Sequence, residues 1–178
     1  NAYYKSPTCN LKKYNIGGVT FFQGGPIMQA KLTNRWQEEA KTPLLVSIDG
    51  EWGIGMRLKD SSISFPRQMT LGSIQNDSLI YEMGAEIAKH CKRLGIHINF
   101  APDLDINNNP QNPVINSRSF GENKYNVAQK GIMYIKGMQD NNVLATGKHL
   151  PGHGDTKHDS HKTLPIIFHN QAMIDTFD

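Results

Sequence analysis

At 178 residues, with 38% hydrophobic and 20% charged residues, the chain can bury one substantial core and has the composition of an ordinary globular domain. A formal charge of +3 with the 19 basic residues scattered gives no electrostatic case for nucleic acid, and no run approaches the length of a membrane span. Two cysteines, Cys9 and Cys91, exclude a disulfide framework and a CxxC metal knuckle, and they read as free thiols, that of Cys91 buried.

Asn1 is not an initiator methionine and no signal peptide is visible, so the start is expected to be a processed or trimmed end. Residues 16–22 form a β-branched and aromatic run closed by Gly24-Gly25, and Pro26 is placed to open a helix through Trp36 to Ala40. Pro43 precedes Leu44-Leu45-Val46-Ser47-Ile48, a near-continuous apolar strand that ends at Asp49. Asp77 or Ser78 can cap a helix on which Leu79, Met83, Ile87 and Cys91 recur at i+4, with Gly95 as its stop. Residues 97–102 read as a strand leading to Asp103 and Asp105. The turn-rich segment 107–116 then runs into Arg118-Ser119-Phe120-Gly121, and Ala128, Ile132, Ile135 and Met138 mark another amphipathic helix. Residues 143–147 form a fourth short strand, and 169–177 a further helix.

Apolar strands separated by helices imply an α/β fold with a parallel sheet covered on both faces, either a barrel or an open doubly wound sheet. Two features favour the barrel. Polar residues end every strand (Gln23, Asp49, Asp103 with Asp105, Lys148 with His149), as if converging on one mouth, and no GxGxxG or Walker loop follows any strand. Four strands are too few to close a (β/α)8 barrel of ~250 residues. The expectation is a partial (β/α)8 TIM-type barrel, truncated at both ends.

Chemistry should be sought first between His149 and His161, a stretch holding four of the seven histidines, two aspartates and two glycines. Lys148 and His149 stand at the end of a strand, the functional edge of a parallel α/β protein, and the remainder lies on the loop beyond. Two residues apart, Asp159 and His161 can bring carboxylate and imidazole within hydrogen-bond reach, which would fix the histidine's tautomer and raise its proton affinity. Arg57 and Arg118, each taken alone, are equally compatible with a structural salt bridge, and His153, between two glycines, with loop shaping or a direct substrate contact. His90 and His97 fall in helix and strand patterns and read as structural.

The segment Lys148-His149, Pro151-Gly152-His153-Gly154 and Asp159-Ser160-His161 resembles the signature loop of the glycoside hydrolase family 3 β-N-acetylhexosaminidases, KH-F-PGHG followed by D-S-H. Asp49-Gly50-Glu51 with Arg57 is similar to that family's D-x-E-G-G-x-x-x-R strand end, and Ser117-Arg118-Ser119-Phe120-Gly121 to its R-[AS]-F-G loop. The likeness covers nearly the whole chain from Ile16 onward. Leu150 replaces the usual Phe, Gly147 the usual Ala, and Trp52 stands where the first family glycine would be; none of these removes a chemical group.

The resemblance implies a retaining glycosidase that removes terminal β-linked N-acetylglucosamine through a glycosyl-enzyme intermediate. It implies His161 as acid/base supported by Asp159, and Asp49, Arg57, Arg118, Lys148 and His149 as sugar-binding residues, with Gly152, His153 and Gly154 shaping the loop. That loop is expected to move as a unit to bring His161 over the sugar. The nucleophilic aspartate is expected beyond Asp178, since Asp175 and Asp178 do not match its context. Residues 1–178 would thus be part of a single catalytic barrel domain without its later strands, and this stretch alone would lack turnover. No cofactor and no metal are implied, and the partner is an N-acetylglucosamine-containing glycan or glycopeptide. A peptidoglycan fragment, a chitooligosaccharide or another N-acetylglucosaminide would each fit, in the bacterial cytoplasm or periplasm, and phosphorolysis is a conceivable variant of hydrolysis.

Two rivals stand beside this reading. In the first, a metal-dependent hydrolase, zinc would draw on His149, His153, His158, His161, Asp155 and Asp159, although HExxH is absent and glycines suit a flexible loop better than a rigid ligand set. The second is a non-catalytic carbohydrate-binding derivative of the enzyme.

Overall fold

The computed structural model describes residues 7–157, together with 159, 161, 162, 164, 166, 170 and 172–174. In chain order the elements are α1 (Pro7–Tyr14), β1 (Gly18–Phe21), α2 (Pro26–Glu39), β2 (Leu45–Ile48), α3 (Gln68–Gly72), α4 (Ser78–Arg93), β3 (Ile98–Asn99), α5 (Lys124–Gln139) and β4 (Leu144–Ala145), with 3₁₀ turns at Ile54–Met56 and Asn116–Arg118. The four strands form one parallel sheet in the order β1-β2-β3-β4. A parallel sheet built in sequence order, with helices returning the chain, is the arrangement of consecutive barrel units, so the α/β partial-barrel expectation holds.

The register places Phe21, Ile48, Asn99 and Ala145 in one row across the sheet. On that face Phe21, Val46 and Ile48 pack with Trp36, Ile80, Met83 and Ile87 from the helices, and Phe21 stacks on Trp36 at 5.7 Å between centroids. Full burial of each such aliphatic side chain contributes about 1.5–3 kcal/mol. The opposite face is not sealed as the apolar strands suggested: Leu45 and Leu144 remain 53% and 57% exposed, while Thr20 and Ser47 share a 2.7 Å hydrogen bond there. Alternation sends these residues to the face opposite Phe21, Val46 and Ile48, which the four described strands line without closing into a ring.

Two helix faces differ from their sequence stripes. On α4 the buried residues are Ile80, Met83, Gly84, Ile87, Ala88 and Cys91, and Leu79 is exposed. On α5 they are Val127, Lys130, Gly131, Tyr134, Gly137 and Met138, while Ala128 and Ile132 face outward. Both shifts follow from the close contact of α4 with α5, where glycine rather than a large apolar residue marks the interface: a Cβ on Gly137 would lie 2.2 Å from the Tyr81 carbonyl. Lys130, 2% exposed, crosses to the start of α4 and donates to the Ile74 carbonyl and the Asp77 carboxylate. Asp77 is therefore committed to Lys130, and Asn76 takes over the capping role, its Oδ1 accepting from the Ser78 N–H at 3.1 Å. Gly95, at φ +69°, ends the helix as expected.

Cys91 is fully buried, which pushes its thiol up to about 12; the side chain of Cys9 lies outside the described residues. His97 accepts the Val46 N–H at 3.0 Å and His90 pairs with Glu86 at 3.3 Å, so both serve the framework. Of the helix expected over 169–177, Met173 and Ile174 donate back to the Asn170 carbonyl; Asp175 and Asp178 lie outside the described residues. No helix among the described residues is long and apolar enough to cross a membrane.

Candidate active site

Of the strand ends the sequence suggested, those of β2, β3 and β4 meet, and the foundation is polar. Beyond β2, the Asp49-Gly50-Glu51 backbone is clamped from below by Asn99, which accepts the Gly50 N–H at 2.9 Å and donates to its carbonyl at 3.1 Å. The Tyr134 hydroxyl, fully buried on α5, donates to the Glu51 carbonyl at 3.1 Å. Burial leaves these polar groups no water to turn to, so their reciprocal bonding fixes where both carboxylates point.

Those carboxylates hold three cations. Lys148 Nζ lies 2.5 Å from Asp49 Oδ1 and 2.8 Å from Glu51 Oε1. Arg57 closes on Asp49 from the other side, through its carbonyl at 2.7 Å and its second carboxylate oxygen. Arg118 forks onto Glu51 at 2.7 and 2.9 Å and reaches Asp103 Oδ2 at 3.3 Å. Burial acts to raise the carboxyl groups of Asp49 and Glu51, but Lys148 and Arg57 hold the first below its ordinary value and Arg118 and Lys148 the second. Both stay ionised, as acceptors for cations or hydroxyls.

Asp103 behaves oppositely: burial first, then the neighbouring charge of Asp105, pushes its carboxyl up to about 8 against the pull of Arg118. Asp105 is held below its ordinary value despite burial, because His149 bonds to it and the His153 N–H donates to it at 2.6 Å. Two aspartates with one residue between them thus share the region as one protonated and one ionised group. His149 does not face Asp49 but turns to Asp105.

The loop after β4 is tied down at its base. Gly152 adopts φ +145°, whereas Gly154 is required by proximity, since a Cβ there would lie 1.7 Å from the Ile106 carbonyl. Asn112 donates to the His153 and Gly154 carbonyls at 2.6 and 3.2 Å, Asn109 donates to that of Asp155 at 3.0 Å, and the buried His153 ring bonds the Thr156 hydroxyl. These contacts run against a loop that moves as one piece from Gly152, and they favour loop shaping for His153. Further on, His161 Nδ1 lies 2.8 Å from Asp159 Oδ1, which also accepts the His161 N–H at 2.9 Å. The His161 side chain is 80% exposed, and its two bonds hold the Asp159 carboxyl below its ordinary value. His158 and Ser160 lie outside the described residues.

Glu51, Asp103 and Asp105 carry much of this geometry; the sequence set Asp103 and Asp105 at the mouth and Glu51 in the matched strand end, but gave none of the three a role. Their signal was the second carboxylate in Asp49-Gly50-Glu51 and the Asp103/Asp105 pair at a strand end. For the metal reading, the loop residues do not assemble among those described; Asp103, Asp105 and His149 alone bring one ligand atom each within 4.8 Å of one another. A guanidinium already stands beside that set, Arg118 Nη2 lying 3.3 Å from Asp103 Oδ2.

Residues 5–178 match the sequence family described as "Glycosyl hydrolase family 3 N terminal domain". Beta-hexosaminidase A of Pseudoalteromonas piscicida is 38% identical over 94% of this chain. A solved structure of a glycoside hydrolase family 3 beta-N-acetylglucosaminidase from Paenibacillus sp. str. FPU-7 superposes with a TM-score of 0.88 at 40% identity over 97% of the chain. NagZ from Neisseria gonorrhoeae, solved in complex with N-trifluoroacetyl-D-glucosamine, gives 0.85 at 26% identity over 96%. The chain spans 30%, 34% and 53% of the lengths of these three proteins, respectively.

Proposed function

The chain belongs to glycosyl hydrolase family 3, and from that premise we propose that the intact protein releases terminal β-linked N-acetylglucosamine from glycans or glycopeptides by a retaining route, with residues 1–178 forming part of one catalytic barrel domain. The observation that carries this is the convergence of Asp49 and Arg57 from beyond β2, Arg118 from the 3₁₀ turn after β3 and Lys148 from beyond β4 into one ion network beside His149. Such a constellation offers acceptors and rigid forked donors to sugar hydroxyls and the N-acetyl group.

In this reading His161 protonates the departing oxygen and later deprotonates the attacking water, with Asp159 holding Nδ1 so that Nε2 faces the substrate. The reading requires a carboxylate nucleophile from outside the described residues.

Hydrolysis of paired β-N-acetylglucosaminides by the intact protein and its His161→Ala variant tests it. Loss of the acid should lower kcat/KM for substrates with poor leaving groups by about 10²–10⁴-fold and spare kcat/KM for activated phenols, which leave without a proton, whereas kcat falls on both where the lost base slows the second step. Equal losses of kcat/KM on both would count against His161 as the acid.

A further inference from the structure

Resting on the glycosidase reading, the geometry points to Asp105 as a positioning residue: it holds His149 in the tautomer protonated at Nδ1 and so makes Nε2 the nitrogen offered to the sugar. The Asp105 carboxylate, 3% exposed, uses its two oxygens separately, Oδ2 on His149 Nδ1 and Oδ1 on the His153 N–H at 2.6 Å. An ionised carboxylate only accepts, so Nδ1 must carry a proton to bond it. The remaining nitrogen, Nε2, is available at a cleft of about 160 Å³ lined by Asp105, Lys148, His149 and Gly152 among others.

Asp105 is itself rigidly mounted. Its N–H donates to Asp103 Oδ1 at 3.0 Å, and its carbonyl accepts from the Ser119 hydroxyl at 2.5 Å. The His153 N–H then gives the arrangement a polarity. A backbone N–H can only donate, so in Asp105→Asn the amide oxygen must face His153 and the amide NH₂ must face His149. That NH₂ cannot accept from Nδ1–H, so the ring must move its proton to Nε2. One isosteric change thus reverses the hydrogen-bonding sense of His149 while keeping the loop anchor.

Ring nitrogen signals of His149, identified by their disappearance in His149→Gln, can be read by long-range proton–nitrogen correlation in the intact protein alongside kcat and KM. Wild type should show Nδ1 protonated, and Asp105→Asn should show Nδ1 bare, with kcat/KM lowered about 10–100-fold, the range expected when a buried hydrogen bond is mismatched. A clamp that only anchors the loop would leave the tautomer untouched. Nδ1–H retained in Asp105→Asn, or a switched tautomer with unchanged kcat/KM, overturns the proposal. So does a wild type with Nδ1 bare, a measurement that does not depend on the variant folding. An intact wild type without glycosidase activity would count against the functional reading instead, and the tautomer data would still decide what Asp105 does to His149.

Discussion

Lys148 Nζ and Asp49 Oδ1 meet at 2.5 Å although they stand 99 positions apart in the chain. The same ammonium reaches Glu51, which in turn receives both arms of Arg118, so one lysine connects the ends of β2 and β4 and shares its second carboxylate with the 3₁₀ turn at Asn116–Arg118. Position in space, not adjacency in sequence, makes these residues one unit.

Glu51→Gln should therefore disturb more than one contact. Breaking a buried pair costs about 3–5 kcal/mol, and the lower end applies because Lys148 and Arg118 each keep some contact with water. Urea unfolding should report a loss of about 3 kcal/mol, with kcat/KM reduced as Lys148 and Arg118 lose their fixed poses. A change below about 1 kcal/mol would place the pair with exposed salt bridges.

Stability should decline as pH rises from the ordinary aspartate value of 3.8 toward about 8, owing to Asp103. Over that interval the folded chain keeps the Asp103 proton and the unfolded chain has released it, so raising pH favours unfolding. Asp49, Glu51 and Asp105 act in the opposite sense below it: their lowered folded values give stability that is present above the ordinary carboxylate range and lost as pH falls. Thermal melting across pH should peak just above that range, and Asp103→Asn should flatten the alkaline side. A slope unchanged in Asp103→Asn would show that another group is responsible.

Gly154→Ala introduces a methyl where the Ile106 backbone carbonyl already stands, 1.7 Å from the Cβ position. Backbone cannot rotate away as a side chain would, so the loop base should lift from Asn112 and Asn109 at a cost of about 1–3 kcal/mol. Limited proteolysis should cut near this segment faster in the variant. Equal cutting rates would mean the base is not held as described.

Gly137→Ala sets two effects against each other. Helix propensity favours alanine by about 1 kcal/mol. The new Cβ would sit 2.2 Å from the Tyr81 carbonyl and 2.9 Å from the Ala85 nitrogen, both backbone atoms of α4, and overpacking of that kind costs about 1–3 kcal/mol. The expected net result is a lower melting temperature; a higher one would show that α4 and α5 separate easily.

Strand runs such as Leu44 to Ile48, the Pro26 helix start and the polar strand ends were legible because local chemistry dictates them. Asp49, Arg57, Arg118, Lys148 and His149 were nameable from family likeness, and they come together beyond the strands. What sequence concealed was partner choice. That His149 bonds Asp105 rather than facing Asp49 depends on how β3 and β4 register, which no local pattern encodes. The helix faces were misjudged where Gly137 and Lys130 replace bulk at the α4–α5 contact, because hydrophobic periodicity weighs size and cannot see close backbone approach.

The sequential strand order has a kinetic consequence. Each strand pairs with the one immediately before it, so the sheet can grow by short steps of chain closure as successive units dock. The ion network cannot form that way: Arg118 must find Glu51 across 67 residues and Lys148 must find Asp49 across 99. During folding, Asp49 can meet Arg57, eight residues on, at once, and Glu51 waits for the segment carrying Arg118, but neither carboxylate gains Lys148 until β4 arrives, so the network closes with that strand rather than with the first pairings of the sheet.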